Sequence, residues 1–339
     1  MKLTWTHHWS RHAKGNTLGY SSSNKAIYDA LADQGVVFRD DADVAVTYGF
    51  GKLYKRIPGK KMVLYTMFES PVLPPEVHEP LRDADLIITP SRWCAEIFEK
   101  HTNKPIHVIP LGVDTSKFTF KKRDQRRNRP FRWLYVGAPN WRKVTVLPEL
   151  VPSFLSRSPN VEMYFKFTGG NKEGIQEMLD NPDVTEISEG LFHSGNIWVD
   201  NRLIPTDDLV NLYHWADGVI LPTAGEGFGL TGLEAMSTGL APILTAYSGV
   251  LEYADESVAR LLKYSFGCME GENPEGGENI SQWLGWPCRK DIIDKITEAM
   301  LEDPGVTEEM GRRAHLRAKN FTWEATARDL VHAIRTVVL

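Results

Sequence analysis

The stretch "TAGEGFGLTGLEAMSTG", residues 223–239, decides how the rest of this 339-residue chain is read. Glycines 227 and 229 flank Phe228, and two glutamates, Glu226 and Glu234, stand eight positions apart. Just before it, Gly218–Leu221 reads as a buried strand that ends at Pro222. Just after the glycines, "LTGLEAMST" reads as a helix with Leu233 and Met236 turned inward, stopped by Gly239. Strand, glycine-rich loop and helix N-terminus in succession make an anion site. The first amides of the helix lack partners, its dipole places roughly half a positive charge there, and glycine lets a ligand come close to the backbone.

The two glutamates need separate explanations. Thr231-x-x-Glu234 fits a capping box, in which Glu234 satisfies an N-terminal amide. Glu226 has no such role: beside a phosphate it would be repelled, so it implies hydroxyls to bind or positive charge to stabilise. A ligand that has both phosphate and sugar hydroxyls is a nucleotide sugar.

Working outward, short β-branched runs alternate with helical stretches, as in a doubly wound parallel sheet. The first half supplies Leu3–Thr6, Val44–Tyr48, Met62–Tyr65, Leu86–Thr89 and His107–Ile109. The second supplies Arg132–Val136, Glu162–Phe167, Val184–Ser188, Gly218–Leu221 and Pro242–Thr245. "DADVAVTY" (41–48), "DADLIITP" (83–90) and "WADGVILP" (215–222) share one helix-to-strand junction. The Asp-x-Asp pairs at 41–43 and 83–85 precede their strands, whereas ligands in open α/β sheets sit at the strands' C-terminal ends, so these carboxylates read as structural. The chain divides into residues 1–120, a basic linker at 121–130, a second domain at 131–310 and terminal helices at 311–339. The terminal helices are expected to pack back toward the first domain, the last of them through Leu330, Ile334 and Val337. "GENPEGGEN" (271–279) reads as an acidic surface loop.

Bulk properties exclude several classes. There is no run of eighteen apolar residues to span a membrane, and the first fifteen residues lack the apolar core of a secretory leader. Cys94, Cys268 and Cys288 are far apart and make no C-x-x-C, which speaks for a reduced, cytoplasmic setting over a disulfide or zinc framework. The net charge of −5 hides an asymmetry: residues 1–132 hold 22 Lys/Arg against 14 Asp/Glu, the remainder 17 against 30. A basic first half faces something anionic, although six of its cations crowd into "KKRDQRRNR" (121–129), which also reads as a solvated linker.

The motif "EGFGLTGLE" resembles the Glu-x7-Glu signature of the retaining GT-B glycosyltransferases of family four, the glycosyl transferases group 1. The resemblance runs through "TMFESPVLPPEV" (66–77), "ITPSRW" (88–93), "VIPLGVDTSKF" (108–118), "WLYVGAPNWRK" (133–143) and "LIPTDDLVNLYHWADGVILPT" (203–223) in order. It implies an α/β fold of two Rossmann-like, doubly wound domains facing a central cleft, the first holding the acceptor and the second the nucleotide sugar. By position it implies that Glu234 bonds the ribose and that Glu226 contacts the transferred sugar. The backbone at Gly227, Phe228, Gly229, Leu230 and Thr231 would hold the sugar-phosphate, and Arg142 with Lys143 would neutralise the diphosphate as negative charge builds on it. Gly15 and Gly19, in "KGNTLGYSSS" (14–23), would approach from the facing domain, a loop that lacks the family's adjacent glycines. Glu69 would line the acceptor side, with a structural ion pair as its alternative. His7, His8 and His12 have no accompanying carboxylate, so neither a metal nor another cofactor is expected; the donor is UDP- or GDP-linked.

The acceptor stays open at this level: a glycan, a hydroxymethylated DNA base of the kind some viral sugar transferases modify, or a lipid-linked glycan at an anionic membrane surface. The aromatic-basic stretch "TWTHHWSRHAK" (4–14) suits a polyanion. Rival readings are a non-catalytic nucleotide-sugar-binding partner subunit and an epimerase or phosphorylase on the same fold.

Overall fold

The computed structural model describes residues 1–6, 19–49, 53–123, 129–144, 147, 160–167, 175–180, 182–271 and 280–338. The first lobe contains strands Lys2–Trp5 (β1), Val37–Phe38 (β2), Val44–Tyr48 (β3), Lys61–Tyr65 (β4), Leu86–Thr89 (β5) and Ile106–Val108 (β6). They form one parallel sheet ordered β2-β1-β3-β4-β5-β6. β3 and β5 are buried along their whole length, which is why they read as unbroken apolar runs. Helices Gly19–Asp33 (α1), Pro75–Asp83 (α2) and Arg92–Phe98 (α3) belong to this lobe.

The second lobe is built on Phe131–Gly137 (β7), Val161–Phe167 (β8), Thr185–Ser188 (β9), Leu191–Ser194 (β10), Ile197–Asp200 (β11), Gly218–Leu221 (β12), Ile243–Thr245 (β13) and Arg260–Leu262 (β14). Their order is β14-β13-β12-β7-β8-β11-β10-β9. From β14 to β11 every pairing is parallel, and the topology reverses between β7 and β12, where the crevice of a doubly wound sheet opens. Helices Trp141–Val144 (α4), Gln176–Leu179 (α5), Thr206–Trp215 (α6) and Leu230–Ser237 (α7) follow in chain order.

The strand read at Val184–Ser188 departs from the parallel scheme. It is β9, and it turns back through Gly190 (φ 75°) into β10, which pairs antiparallel with both β9 and β11 at the sheet edge. A second addition is the antiparallel hairpin Tyr264–Gly271 (β15) and Ile280–Pro287 (β16), paired over eight rows. Its connection covers nearly all of the acidic stretch 271–279, of which residues 272–279 lie outside the described residues.

The chain closes with Arg289–Leu301 (α8), Pro304–Ala318 (α9) and Trp323–Val337 (α10). Thr322 caps α10 by accepting from the Ala325 N–H at 3.2 Å. α10 lies against α1 of the first lobe: Gln34 donates to the Glu324 carbonyl at 2.7 Å and Thr326 to the Pro110 carbonyl at 2.8 Å. Leu330 and Ile334 are fully buried as the apolar periodicity predicts, with Ala327 and Ala333 completing the stripe, but Val337 in the last turn is exposed.

The Ala-Asp junctions have a physical reason. Asp85 accepts the Met62 N–H at 2.8 Å and Asp217 the Arg132 N–H at 3.0 Å, each fixing the start of a neighbouring strand. In the described part of the basic run Lys121 and Lys122 are exposed, yet the run also ties down two helix ends. Lys121 and Arg123 donate to the carbonyls of Tyr213, His214 and Thr238, the orphan acceptors where α6 and α7 end, and Arg129 forms a two-point pair with Asp217 at 2.6 and 2.8 Å. Residues 124–128 of that run lie outside the described residues.

Gly112 is where the returning segment comes closest: a Cβ there would stand 2.3 Å from the Trp323 nitrogen. Gly112→Ala is therefore expected to lower stability by about 1–3 kcal/mol, as an overpacked core does. Urea denaturation followed by fluorescence checks it; an unchanged midpoint would contradict the packing described.

Candidate active site at the seam of the two lobes

The loops that follow β7 and β12 flank the point where the second sheet reverses, and they are joined side by side. The Ala224 N–H donates to the Arg142 carbonyl at 2.8 Å, and the Arg142 guanidinium returns a bond to the Gly225 carbonyl. α4, though only one turn long, is started by Asn140, whose side chain accepts the Lys143 N–H at 3.1 Å. Arg142 and Lys143 therefore project from a fixed turn toward the glycine-rich loop. Lys143 Nζ lies 2.9 Å from both carboxylate oxygens of Glu226. Only 9% of the Glu226 side chain is exposed, so the charge of the lysine offsets a desolvated carboxylate.

The peptide of Glu226 is clamped from behind. Its N–H donates to Ser248 Oγ and its carbonyl accepts from the Gly249 N–H, both at 2.8 Å. Ser248 has φ 67°, a strained conformation for a residue with a side chain, and a Cβ on Gly249 would stand 2.1 Å from the Gly227 oxygen. The segment after β13 is thus shaped to hold Glu226 in place.

The structure revises two local expectations. α7 has no capping box: Gly229, in the left-handed region at φ 85°, is the N-cap and no side chain caps the helix. Glu234 lies one turn in and accepts from the Tyr213 hydroxyl at 2.9 Å. Burial pushes its carboxyl up to about 7, with the Tyr213 bond pulling the other way. With no cap, the N–H groups of Phe228, Gly229 and Leu230 have no partner among the described residues. They are the free donors that the loop-to-helix junction predicts.

Gly227 is the second revision. A Cβ on it would fall 2.6 Å from Met67 Cγ, and its carbonyl accepts from Ser91 Oγ at 2.9 Å. Gly225 similarly approaches the Glu69 carbonyl. These two glycines admit the other lobe. Glu69 itself, which follows β4, pairs with Arg142 at 3.2 Å, and each of the two side chains is 14% exposed. Glu69 thus takes the ion-pair alternative, across the seam. Gly19 opens α1, whereas Gly15, the rest of its loop and His7, His8 and His12 lie outside the described residues.

Sequence reasoning missed Ser91, Met67, Tyr213 and Ser248, whose roles depend on elements far apart in the chain. It also missed Lys166, a buried lysine at the end of β8. Lys166 donates to the carbonyls of Phe167 (2.8 Å) and Arg202 (2.6 Å) beside buried Asp200, and burial lowers its ammonium to about 8. Among the described residues no group of three or more His, Cys, Asp or Glu could hold a metal ion, and no helix is long and apolar enough to cross a membrane.

Two Rossmann-like lobes meeting at the C-terminal ends of their strands define the GT-B architecture. The chain superposes on the sucrose-phosphate synthase of Thermosynechococcus elongatus with TM-score 0.72 at 14% identity, covering 99% of this chain and 98% of that one. Anabaena HepE, solved in complex with UDP and glucose, gives 0.64 at 12% identity, with 99% of each chain covered. Family models agree: glycosyl transferases group 1 matches residues 130–265, and the family 4 glycosyltransferases in conflict systems match residues 204–330. Residues 130–330 are thus similar to group 1 and family 4 glycosyltransferases. Two D-inositol 3-phosphate glycosyltransferases are similar in sequence. That of Corynebacterium jeikeium is 25% identical over 257 residues, which is 72% of this chain and 55% of the relative. That of Corynebacterium urealyticum is 29% identical over 271 residues, which is 74% and 56%. The chain therefore spans about half the length of the curated relatives it matches.

Glu234 yields a pH prediction. Its folded-state pKa of about 7 exceeds the ordinary 4.5, so between those values the folded chain holds a proton that the unfolded chain has released. Stability then falls as pH rises through that window. Glu234→Gln cannot lose that proton, so its melting temperature relative to wild type is expected to climb between pH 5 and pH 8 in thermal scans. A difference that is flat with pH would contradict the burial of this carboxyl.

Proposed function

We propose that this chain transfers a hexose from a nucleotide-diphosphate sugar, UDP- or GDP-linked, to an acceptor hydroxyl with retention of anomeric configuration. The observation that carries the reading is the convergence, across the reversal of the second sheet, of two cations after β7 with the uncapped N-terminus of α7 after β12. The diphosphate lies against the Phe228, Gly229 and Leu230 amides, within reach of Arg142 and Lys143. As the glycosidic bond breaks, these donors stabilise the charge that accumulates on the leaving phosphate. Arg142 presents a planar fork and Lys143 a point charge, so the two are not interchangeable. Glu226, held at 2.9 Å from Lys143, sits where positive charge develops on the sugar, and Glu234 is placed to accept from ribose hydroxyls. In this reading the leaving phosphate takes the acceptor's proton as the acceptor attacks on the same face, and neither a side-chain base nor a metal is required.

The acceptor is anionic or polymeric. The basic balance of residues 1–132 supports this, and the inositol phosphate relatives are named for a phosphorylated acceptor. Hydroxymethylated DNA is the polymeric version, and a salt titration of duplex binding separates it from the rest: no affinity even at low salt eliminates it.

A thermal-shift screen of UDP, GDP and ADP with their sugars tests donor binding, since a ligand of the folded state raises the melting temperature. At least one uridine or guanosine diphosphate is expected to do so, and Arg142→Ala to abolish the shift. Glu226→Ala is expected to cut donor hydrolysis or transfer by about 100-fold or more, the scale seen when a group aimed at developing charge is removed. Full activity in Glu226→Ala, or loss of wild-type activity on adding a chelator, would contradict the mechanism.

A further inference from the structure

The hairpin β15–β16 is fastened to both lobes where they meet. The Gly285 N–H donates to the Ala224 carbonyl at 2.9 Å, and the Trp283 N–H donates to Ser70 Oγ at 3.2 Å. Ala224 and Ser70 are the chain neighbours of Gly225 and Glu69, so the hairpin starts at the rim of the candidate site. Pairing of Phe266 with Gly285 and of Cys268 with Trp283 puts these residues and Tyr264 on one face. On that face the rings of Phe266 and Trp283 are stacked, with centroids 5.6 Å apart and planes 22° from parallel. Tyr247 lies beneath, 5.1 Å from Tyr264, 5.9 Å from Phe266 and 5.5 Å from Trp93 of the first lobe. Gly285 makes room for it, since a Cβ there would stand 2.5 Å from the Tyr247 ring.

Aromatic rings brought together for stability alone belong in the core, yet Phe266 is 51% exposed, Tyr264 42% and Trp283 40%. A contiguous exposed aromatic surface at the rim of a cleft marks a binding surface. The Tyr247 hydroxyl below it is buried and has no hydrogen-bond partner among the described residues, a further sign that the packing is incomplete. The exposed faces of these rings, with few donors or acceptors, match the C–H face of a pyranose ring, whose hydroxyls point outward into water.

We propose that Tyr264, Phe266 and Trp283 form a stacking platform for a sugar ring of a saccharide acceptor, next to the Glu69–Arg142 seam. This rests on the glycosyltransferase reading and specifies its acceptor. The test is saturation-transfer NMR, irradiating the protein's aromatic protons in the presence of UDP, with maltotriose, cellotriose, chitotriose and oligo(dT) as separate probes. Ring protons of at least one trisaccharide are expected to receive saturation, and the transfer is expected to fall at least fivefold in Phe266→Ser and Trp283→Leu. Retention of the UDP-induced thermal shift in these variants shows that the donor site and fold are intact. Should Trp283→Leu lose that shift, Phe266→Ser, a change at a half-exposed position, decides alone. Transfer to no trisaccharide, transfer to oligo(dT) only, or transfer unchanged in the variants would overturn the platform. Absence of any nucleotide shift in the wild type would instead count against the donor site.

Discussion

The arrangement depends on one contact, the insertion of the loop after β12 into the first lobe. Ser91 holds the Gly227 carbonyl at 2.9 Å, and Met67 occupies the space where a side chain at 227 would be. Because the loop is pinned from that side, Glu226 can be aimed at Lys143 from the other, and Arg142 can reach the Gly225 carbonyl and Glu69 together. If the glycines were replaced, the lobes would have to separate and the cations would lose their framing. The same segment thus serves packing and chemistry, which accounts for the density of glycine in it.

Electrostatically the site is balanced. Arg142 is paired with Glu69 and Lys143 with Glu226, and all four side chains are at most one quarter exposed. Burying either charge alone would be unfavourable, so each cation is kept with an anion until something displaces it. A diphosphate can do so, since it offers several charged oxygens to the same donors and also to the free amides at the start of α7. On the proposed reading, Glu69 would be released as the donor settles, and because it belongs to the first lobe its release would link occupancy of the second lobe to the contact between the two.

Much of this was legible in the sequence because it is written locally. Val44–Tyr48, Leu86–Thr89 and Gly218–Leu221 are buried strands, and their apolar runs give their limits to the residue. The junction at 222–230 was legible because strand, glycine and helix succeed one another within a few residues. What failed had a distant partner. Glu234 mimics a capping box three residues after Thr231, but a left-handed Gly229 takes the cap and Tyr213, twenty-one residues away, takes the carboxylate. Gly227 looks like room for a ligand until Met67 is seen beside it. The hairpins were missed for a different reason. β9–β10–β11 are four-residue strands that turn at Gly190 and Gly195, and β15–β16 interrupt a stretch whose helices gave the stronger periodicity.

The most direct measurement is a crystal structure of the complex with whichever nucleoside diphosphate the chain binds. The account requires the β-phosphate within hydrogen-bonding distance of Arg142, Lys143 and the amides at the start of α7, with the Lys143–Glu226 contact loosened. A diphosphate seated elsewhere, with both ion pairs intact, would contradict it.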